Sequence, residues 1–219
     1  MSSKKIYEGL VKSGRLDSGD LLLVVDGKRQ KLYKVVNGDI IKKYKCSTGK
    51  AGFGNSGGGK TSTGLMYISD KVGAGQPTGR IFVAKQPTPY ILDDNQGKHA
   101  WVLTRVLVLR GQQAENENVY DRHIYIHGTN RKKRLGRRVS GGCIRVSNDA
   151  ILELFSDVPE GTLVYVRGTG PTNPPFPEED RAITSKAKDA LKDLGSEIAL
   201  WWKTKDPDED KIGQEPDYD

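Results

Sequence analysis

Residues 21–46 read LLLVVDGKRQKLYKVVNGDIIKKYKC, three β-rich runs separated by Asp26-Gly27 and Asn37-Gly38. Asp-Gly and Asn-Gly accept the left-handed backbone that tight hairpin turns need, so between such runs they signal hairpins. The pattern predicts strands over 21–25, 31–36 and 40–46. Working outward, Leu65-Met66-Tyr67-Ile68-Ser69 and the near-continuous apolar run 101–109 read as further strands. The alternating, β-branched run His123-Ile124-Tyr125-Ile126-His127 and residues 162–166, entered through Gly161, do the same. Ser147 is placed to cap a short helix over 150–155. Residues 70–100, punctuated by Pro77, Pro87 and Pro89, are turn-rich and yield no assigned element. The fold class is therefore mainly β with a short helix.

Composition agrees. The chain has 219 residues, 35% hydrophobic, with 26 Gly and 10 Pro, which suits turns between strands rather than a coiled coil. A domain of this length buries a sizeable core. No apolar run is long enough to span a bilayer as a helix. Residues 1–19 form a polar N-terminal segment without the apolar stretch of a secretory signal, so the sequence as written predicts a cytoplasmic protein. A trimmed periplasmic or wall-associated protein would read the same way. Composition shifts at the Pro/Gly linker 168–177. Beyond it Ile183, Ala187, Ala190, Leu194, Ile198 and Trp201 form one apolar stripe, predicting an amphipathic helix over 178–204. Residues 205–219 are acidic and core-less, the signature of disorder. The central domain is thus 20–167.

The chemistry concentrates between His127 and Arg145. His127-Gly128-Thr129-Asn130 is followed by a basic loop, Gly136, and Ser140-Gly141-Gly142-Cys143-Ile144-Arg145. A thiol becomes a nucleophile as thiolate and needs a base or a cationic neighbour. His127 supplies the base if the intervening loop folds back. Gly141 and Gly142 allow close backbone approach, so the Cys143 N–H and its neighbours can cradle an oxyanion. Arg145 offers a fork for a substrate carboxylate. These parts together predict acyl transfer through Cys143. The other cysteine, Cys46, sits on a strand without companions and reads as structural.

The segment from Arg122 through Arg145 resembles the signature of the L,D-transpeptidase (YkuD-type) catalytic domain, H-G-T followed by S-x-G-C-I/V-R. Gly49 and residues 61–64 resemble that family's S-T-G … T-P-x-G stretch, and residues 158–164 its closing V-x-x-G-T-x-V strand. The match runs from about Leu21 to Val166. Residues 104–111 and 122–129 resemble its short, leaderless members. The resemblance implies a β-sandwich-like domain with Cys143 as nucleophile, His127 as base and the Gly128 carbonyl orienting the imidazole. Ser140, Gly142 and Arg145 then fall on pocket positions, with Gly141, Tyr125, Thr129 and Asn130 beside them. The sequence departs twice: Ser62 replaces the proline after the first Thr, and Gly141 stands where many members carry a second histidine.

Other chemistries fit less well. On a strand His123 and His127 stand about 13 Å apart, too far for one metal ion with ligands at about 2.1 Å; no metal and no cofactor are expected. Residues 54–61 match the phosphate-loop pattern, but a strand follows where the mechanism needs a helix N-terminus, which argues against nucleotide. The basic loop Arg131, Lys132, Lys133, Arg134, Arg137 and Arg138, part of a net charge of +7, lacks the aromatics of nucleic-acid readout. It reads as a solvated rim facing an acidic substrate, and the C-terminal helix as packing on protein rather than on a membrane surface.

The expected function is cysteine-dependent acyl transfer on peptidoglycan stem peptides or muropeptides. It cleaves the L,D bond after the third-position diamino acid and passes the acyl group to an amine or to water. The alternative is a non-catalytic wall- or nucleic-acid-binding module using the loop 131–138.

Overall fold

The computed structural model describes residues 2–168. Ten strands are present: β1 (Leu21–Asp26), β2 (Lys31–Val36), β3 (Asp39–Lys45), β4 (Gly64–Val72), β5 (Arg80–Val83), β6 (Gln86–Ile91), β7 (Val102–Gly111), β8 (Tyr125–Gly128), β9 (Ile144–Arg145) and β10 (Leu163–Arg167). Helices α1 (Ser3–Lys12) and α2 (Asn148–Asp157) accompany them. The expected mainly β architecture is present, and all ten strands belong to one hydrogen-bonded sheet. Its order is β3-β2-β1-β10-β4-β7-β5-β6, with β8 on β7 and β9 on β8. The pairs β1/β10 and β8/β9 are parallel. The expected helix 178–204, the acidic tail 205–219 and all of the linker past Gly168 lie outside the described residues.

The unbroken run Leu21-Leu22-Leu23-Val24-Val25 is explained by burial on both faces. Leu23 and Val25 enter the central core with Met66, Ile68, Leu107, Ile126, Ile144, Ile151, Leu154 and Val164. Leu22 and Val24 face the other way, into a layer with Tyr33, Val35, Leu65, Leu163 and Tyr165 that α1 covers with Ile6, Tyr7 and Leu10. The N-terminal segment is therefore more than a polar appendage. Its apolar residues are too few to stand out from a lysine-rich background, yet three of them share one face. Ser2 caps the helix by accepting from the Lys5 N–H at 3.3 Å. Ile6 and Leu10, both buried, each contribute roughly 2 kcal/mol of transfer free energy.

Asn37 and Gly38 adopt φ of 51° and 84°, the type I′ geometry their identity predicts for β2–β3. Asp26-Gly27 behaves differently. Asp26 pairs with Lys31, leaving residues 27–30 as the connection, and its carboxylate accepts from the Lys28 and Arg29 N–H groups at 3.0 Å.

Two features of the sheet place the site. First, β7 carries a bulge. Leu103 pairs with Gly128 but Val106 with His127, so Thr104 and Arg105 are extra. Thr104 takes φ 74°, strained for a β-branched residue. Its hydroxyl is tied down on both sides, donating to Asn148 Oδ1 at 2.7 Å and accepting from Gly79 N at 3.0 Å. Second, the sheet closes on itself. Ser47, just past β3, exchanges both backbone hydrogen bonds with Arg145 of β9, each 2.8 Å. A ring thus runs from β3 through β2, β1, β10, β4, β7, β8 and β9 back to Ser47.

Candidate active site

The β8/β9 register brings the predicted residues together. Ile126 is opposite Ile144 and His127 opposite Arg145. Both isoleucines point into the central core. Period-2 alternation therefore sends Tyr125 and His127 from β8, and Cys143 and Arg145 from the neighbouring strand, to the opposite face. Cys143 lies one strand across and two residues along from His127, roughly 8 Å between α-carbons. The loop between them folds back far enough for the strand carrying Arg145 to pair with the one carrying His127.

His127 is 2% exposed, and its Nδ1 stands 2.6 Å from the Gly128 carbonyl. A carbonyl only accepts, so Nδ1 carries the proton and Nε2 keeps its lone pair. Burial, reinforced by the Arg145 charge, depresses the imidazole to about 3 against the pull of the Gly128 carbonyl. The ring is a neutral proton acceptor at physiological pH. Gly128 is obligatory here: a Cβ on it would sit 2.4 Å from Asn148 Oδ1 and 2.7 Å from the Leu103 carbonyl.

Cys143 is partly exposed and packs against Phe82, Val106, Val108 and Tyr125. Its thiol donates to the His123 carbonyl at 3.2 Å. Burial raises its pKa, opposed by the Tyr125 N–H and by Arg145, and the balance leaves it above the ordinary thiol value. The resting pair is thus thiol and neutral imidazole, not thiolate and imidazolium. His123, expected on the strand, instead precedes β8 at φ 54° and ends a series of tight turns from Val119. Its Nδ1 meets the Tyr125 hydroxyl at 2.9 Å. Cys46, by contrast, is fully buried and burial pushes its thiol up to about 12, as a structural cysteine requires.

The loop before Cys143 is fixed from within. Ser140 Oγ donates to the Cys143 carbonyl at 2.6 Å and accepts from Gly142 N at 3.1 Å. Thr61 donates to the Gly142 carbonyl at 2.7 Å and accepts from Gly49 N at 2.8 Å. Arg122 pins the glycine-rich loop from outside, reaching Ser62 Oγ and the Lys60 carbonyl at 2.6 Å each. Gly142 adopts φ 135°, where a Cβ would meet Ile124 Cδ1 at 2.9 Å. Gly141 is unconstrained: its Cβ would meet nothing within 4 Å and its φ is not positive. Gly141→His is accordingly expected to shift stability by less than about 0.5 kcal/mol. A thermal melt showing a loss beyond about 1 kcal/mol would mean the loop needs glycine there.

Several expected pocket residues also make hydrogen bonds that hold the scaffold. Ser140 is committed as described. Thr129 is buried and accepts from Arg131 N at 3.1 Å. Asn130 is buried and spends its amide on the rim, donating to the Gln96 and His99 carbonyls and accepting from Trp101 N at 3.0 Å. Tyr125 is 6% exposed and belongs to the apolar cluster that Cys143 packs against. Sequence reasoning left Thr61, Arg122, Thr104 and Asn148 without site roles. Arg122 and Thr61 lie inside recognisable motifs, whereas Thr104 and Asn148 carry no local signal.

A family model described as the YkuD L,D-transpeptidase catalytic domain matches residues 20–166. The chain belongs to this family. Among curated relatives, YqjB of Bacillus subtilis (strain 168) is 40% identical over 67 residues, 30% of this chain and 38% of that protein. YkuD of the same organism is 50% identical over 44 residues, 20% of this chain and 27% of that protein. Both carry L,D-transpeptidase in their names, and the matched stretch spans well under half the length of either. Among solved structures, an L,D-transpeptidase from Xylanimonas cellulosilytica DSM 15894 is 19% identical, covers 73% of this chain and 68% of its own, and gives a TM-score of 0.43. Within the YkuD family's H-G-T and S-x-G-C-I/V-R pattern, His127, Cys143 and Arg145 fall on one face of β8 and β9, with the Gly128 carbonyl holding the imidazole.

Proposed function

We propose that this family member performs cysteine-dependent acyl transfer on peptidoglycan stem peptides, cutting the L,D bond between the third-position diamino acid and the terminal D-residue. The supporting observation is the His127 Nδ1 contact with the Gly128 carbonyl, which leaves Nε2 as a lone-pair acceptor on the face that Cys143 shares. Cys143 Sγ adds to the carbonyl carbon of residue three as its proton passes to His127 Nε2. In this reading the Cys143 N–H, which no described hydrogen bond occupies, receives the oxyanion. Collapse of the tetrahedral species breaks the C–N bond, and His127 returns its proton to the departing amine. The resulting thioester passes to an amine of a second stem, forming a crosslink, or to water, giving L,D-carboxypeptidase activity.

One mass-spectrometric experiment tests both steps. A disaccharide tetrapeptide incubated with the protein is expected to lose its terminal D-alanine. With an acceptor stem present, a crosslinked product distinguishes transfer from hydrolysis. Cys143→Ala is expected to abolish both products, and a carbapenem is expected to add once to wild type and not to this variant. Unchanged substrate in every arm, or full turnover by Cys143→Ala, refutes the reading.

A further inference from the structure

His123 takes no part in the chemistry above, yet its backbone is strained. Its φ of 54° is a left-handed conformation that glycine adopts freely and a histidine does not. The turn it closes has the paired hydrogen bonds of a Schellman motif. Ile124 N–H donates to the Val119 carbonyl at 3.2 Å, and His123 N–H to the Tyr120 carbonyl at 3.0 Å. Tyr120 is gripped in turn, with Lys85 Nζ donating to its hydroxyl at 2.8 Å and the Arg110 guanidinium 3.9 Å from its ring centre. Glycine is the ordinary residue at the left-handed position of such a turn. A histidine held there beside a reactive cysteine is strain of the kind that accompanies function.

Two contacts connect it to the nucleophile. The imidazole Nδ1 meets the Tyr125 hydroxyl at 2.9 Å, bridging the ends of the 123–125 segment. The His123 carbonyl accepts from Cys143 Sγ at 3.2 Å. The two segments are packed together here, since a Cβ on Gly142, the residue before Cys143, would sit 2.9 Å from Ile124 Cδ1. Among the described residues no hydrogen bond joins Cys143 Sγ to His127, whose own bond runs from Nδ1 to Gly128. A carbonyl only accepts, so its contact with the sulfur favours the thiol over the thiolate.

We propose that His123 is a positioning residue for the nucleophile: clamped by the Tyr125 hydroxyl, it parks the Cys143 thiol on its own carbonyl, which the thiol must leave before it can engage His127 Nε2. Its meaning for catalysis rests on the acyl-transfer reading above. Acylation then begins with rotation of the Cys143 side chain, and proton transfer and attack follow.

Labelling of the full chain by iodoacetamide at pH 7, followed by mass spectrometry on the Cys143 peptide, monitors the thiol without any substrate. Cys46 is fully buried and does not compete. Tyr125→Phe keeps the ring and removes the clamp, whereas His123→Gly keeps the left-handed turn and removes the imidazole. Each is expected to label about three- to tenfold faster than wild type, the range that one hydrogen bond covers. His123→Asn tolerates the backbone and returns a polar atom near the place of Nδ1, so it should label within about twofold of wild type. A merely structural histidine would leave the rate of His123→Gly unchanged. Unchanged or slower labelling in either of the first two variants, or His123→Asn labelling as fast as His123→Gly, overturns the proposal; His123→Gly and His123→Asn decide alone where Tyr125→Phe does not fold. D-alanine release, assayed alongside, separates the two readings. Faster labelling of the variants with no release by wild type leaves the parked thiol standing and removes acyl transfer. Release by wild type with equal labelling across the variants removes the parking alone.

Discussion

His127→Gln is expected to lower acylation of Cys143 at pH 7 by about a thousandfold, within the range general bases supply. The size follows from the resting state. The thiol sits above its ordinary pKa because it is buried, and the imidazole is depressed to about 3 by burial and by Arg145. With the thiol held above its ordinary pKa, the proposed acyl transfer requires the proton to leave as the C–S bond forms, with Nε2 as its acceptor. Glutamine fills the space without accepting that proton. The sign of the pH dependence follows from the same shifts. A depressed imidazole stays neutral, and active, as pH falls well below its ordinary 6.5, losing competence only towards 3. Wild type should therefore react nearly as fast at pH 5 as at pH 7. His127→Gln should regain reactivity only at alkaline pH, where the thiolate forms unaided. Rates of labelling by an acyl donor across pH 4–10 give the measurement. Half-maximal loss near 6.5, or a variant keeping a tenth of wild-type rate at pH 7, contradicts this account.

Gly128→Ala is the second large effect, and it acts through geometry. The added methyl would lie 2.4 Å from Asn148 Oδ1, 2.7 Å from the Leu103 carbonyl and 3.0 Å from Ile151 Cγ2. The Leu103 carbonyl is backbone of β7, and the Asn148 amide is held by Thr104 and Asp94, so neither of the two closest atoms can swing away cheaply. Relief requires β8 to move away from α2, which breaks the link from Asn148 to Thr104 and shifts the carbonyl that holds His127. A stability loss of about 2–3 kcal/mol is expected, with kcat falling more than folding alone explains. Urea unfolding and D-alanine release, measured at a temperature where the variant stays folded, check both halves. A variant as stable and active as wild type would show that the contacts around Gly128 relax freely.

The contrast between β2–β3 and β5–β6 shows what the sequence made legible. Asn37-Gly38 announces its turn because those residues tolerate positive φ. Ala84 and Lys85 adopt the same left-handed pair, φ 48° and 69°, with nothing in their identity to say so. With Pro87 and Pro89 inside β6, that hairpin was unreadable. The buried β1 was plain because both faces select apolar residues. α1 was not, since its short stripe of Ile6, Tyr7 and Leu10 makes sense only beside the sheet it covers. His123 was misread for an opposite reason: its alternation with Tyr125 and His127 is genuine, but a positive φ ends the strand before it. The Cys143–His127 pairing came from motif and loop length. Which neighbours present groups to a ligand, and which, like Asn130 and Thr129, spend them internally, depends on partners far away in the chain.

The position of β10 bears on how the domain is made. It is the last strand among the described residues, yet it lies between β1 and β4, parallel to one and antiparallel to the other. A chain emerging from the ribosome N-terminus first has an open slot at that place. It cannot join β1 to β4 through β10 until residue 167 is available. Such non-local pairing is slow, and local turns contribute little to it. On the proposed acyl-transfer reading, activity therefore arrives only with β10, and truncated products stopping short of it carry Cys143 on a sheet that is still open between β1 and β4.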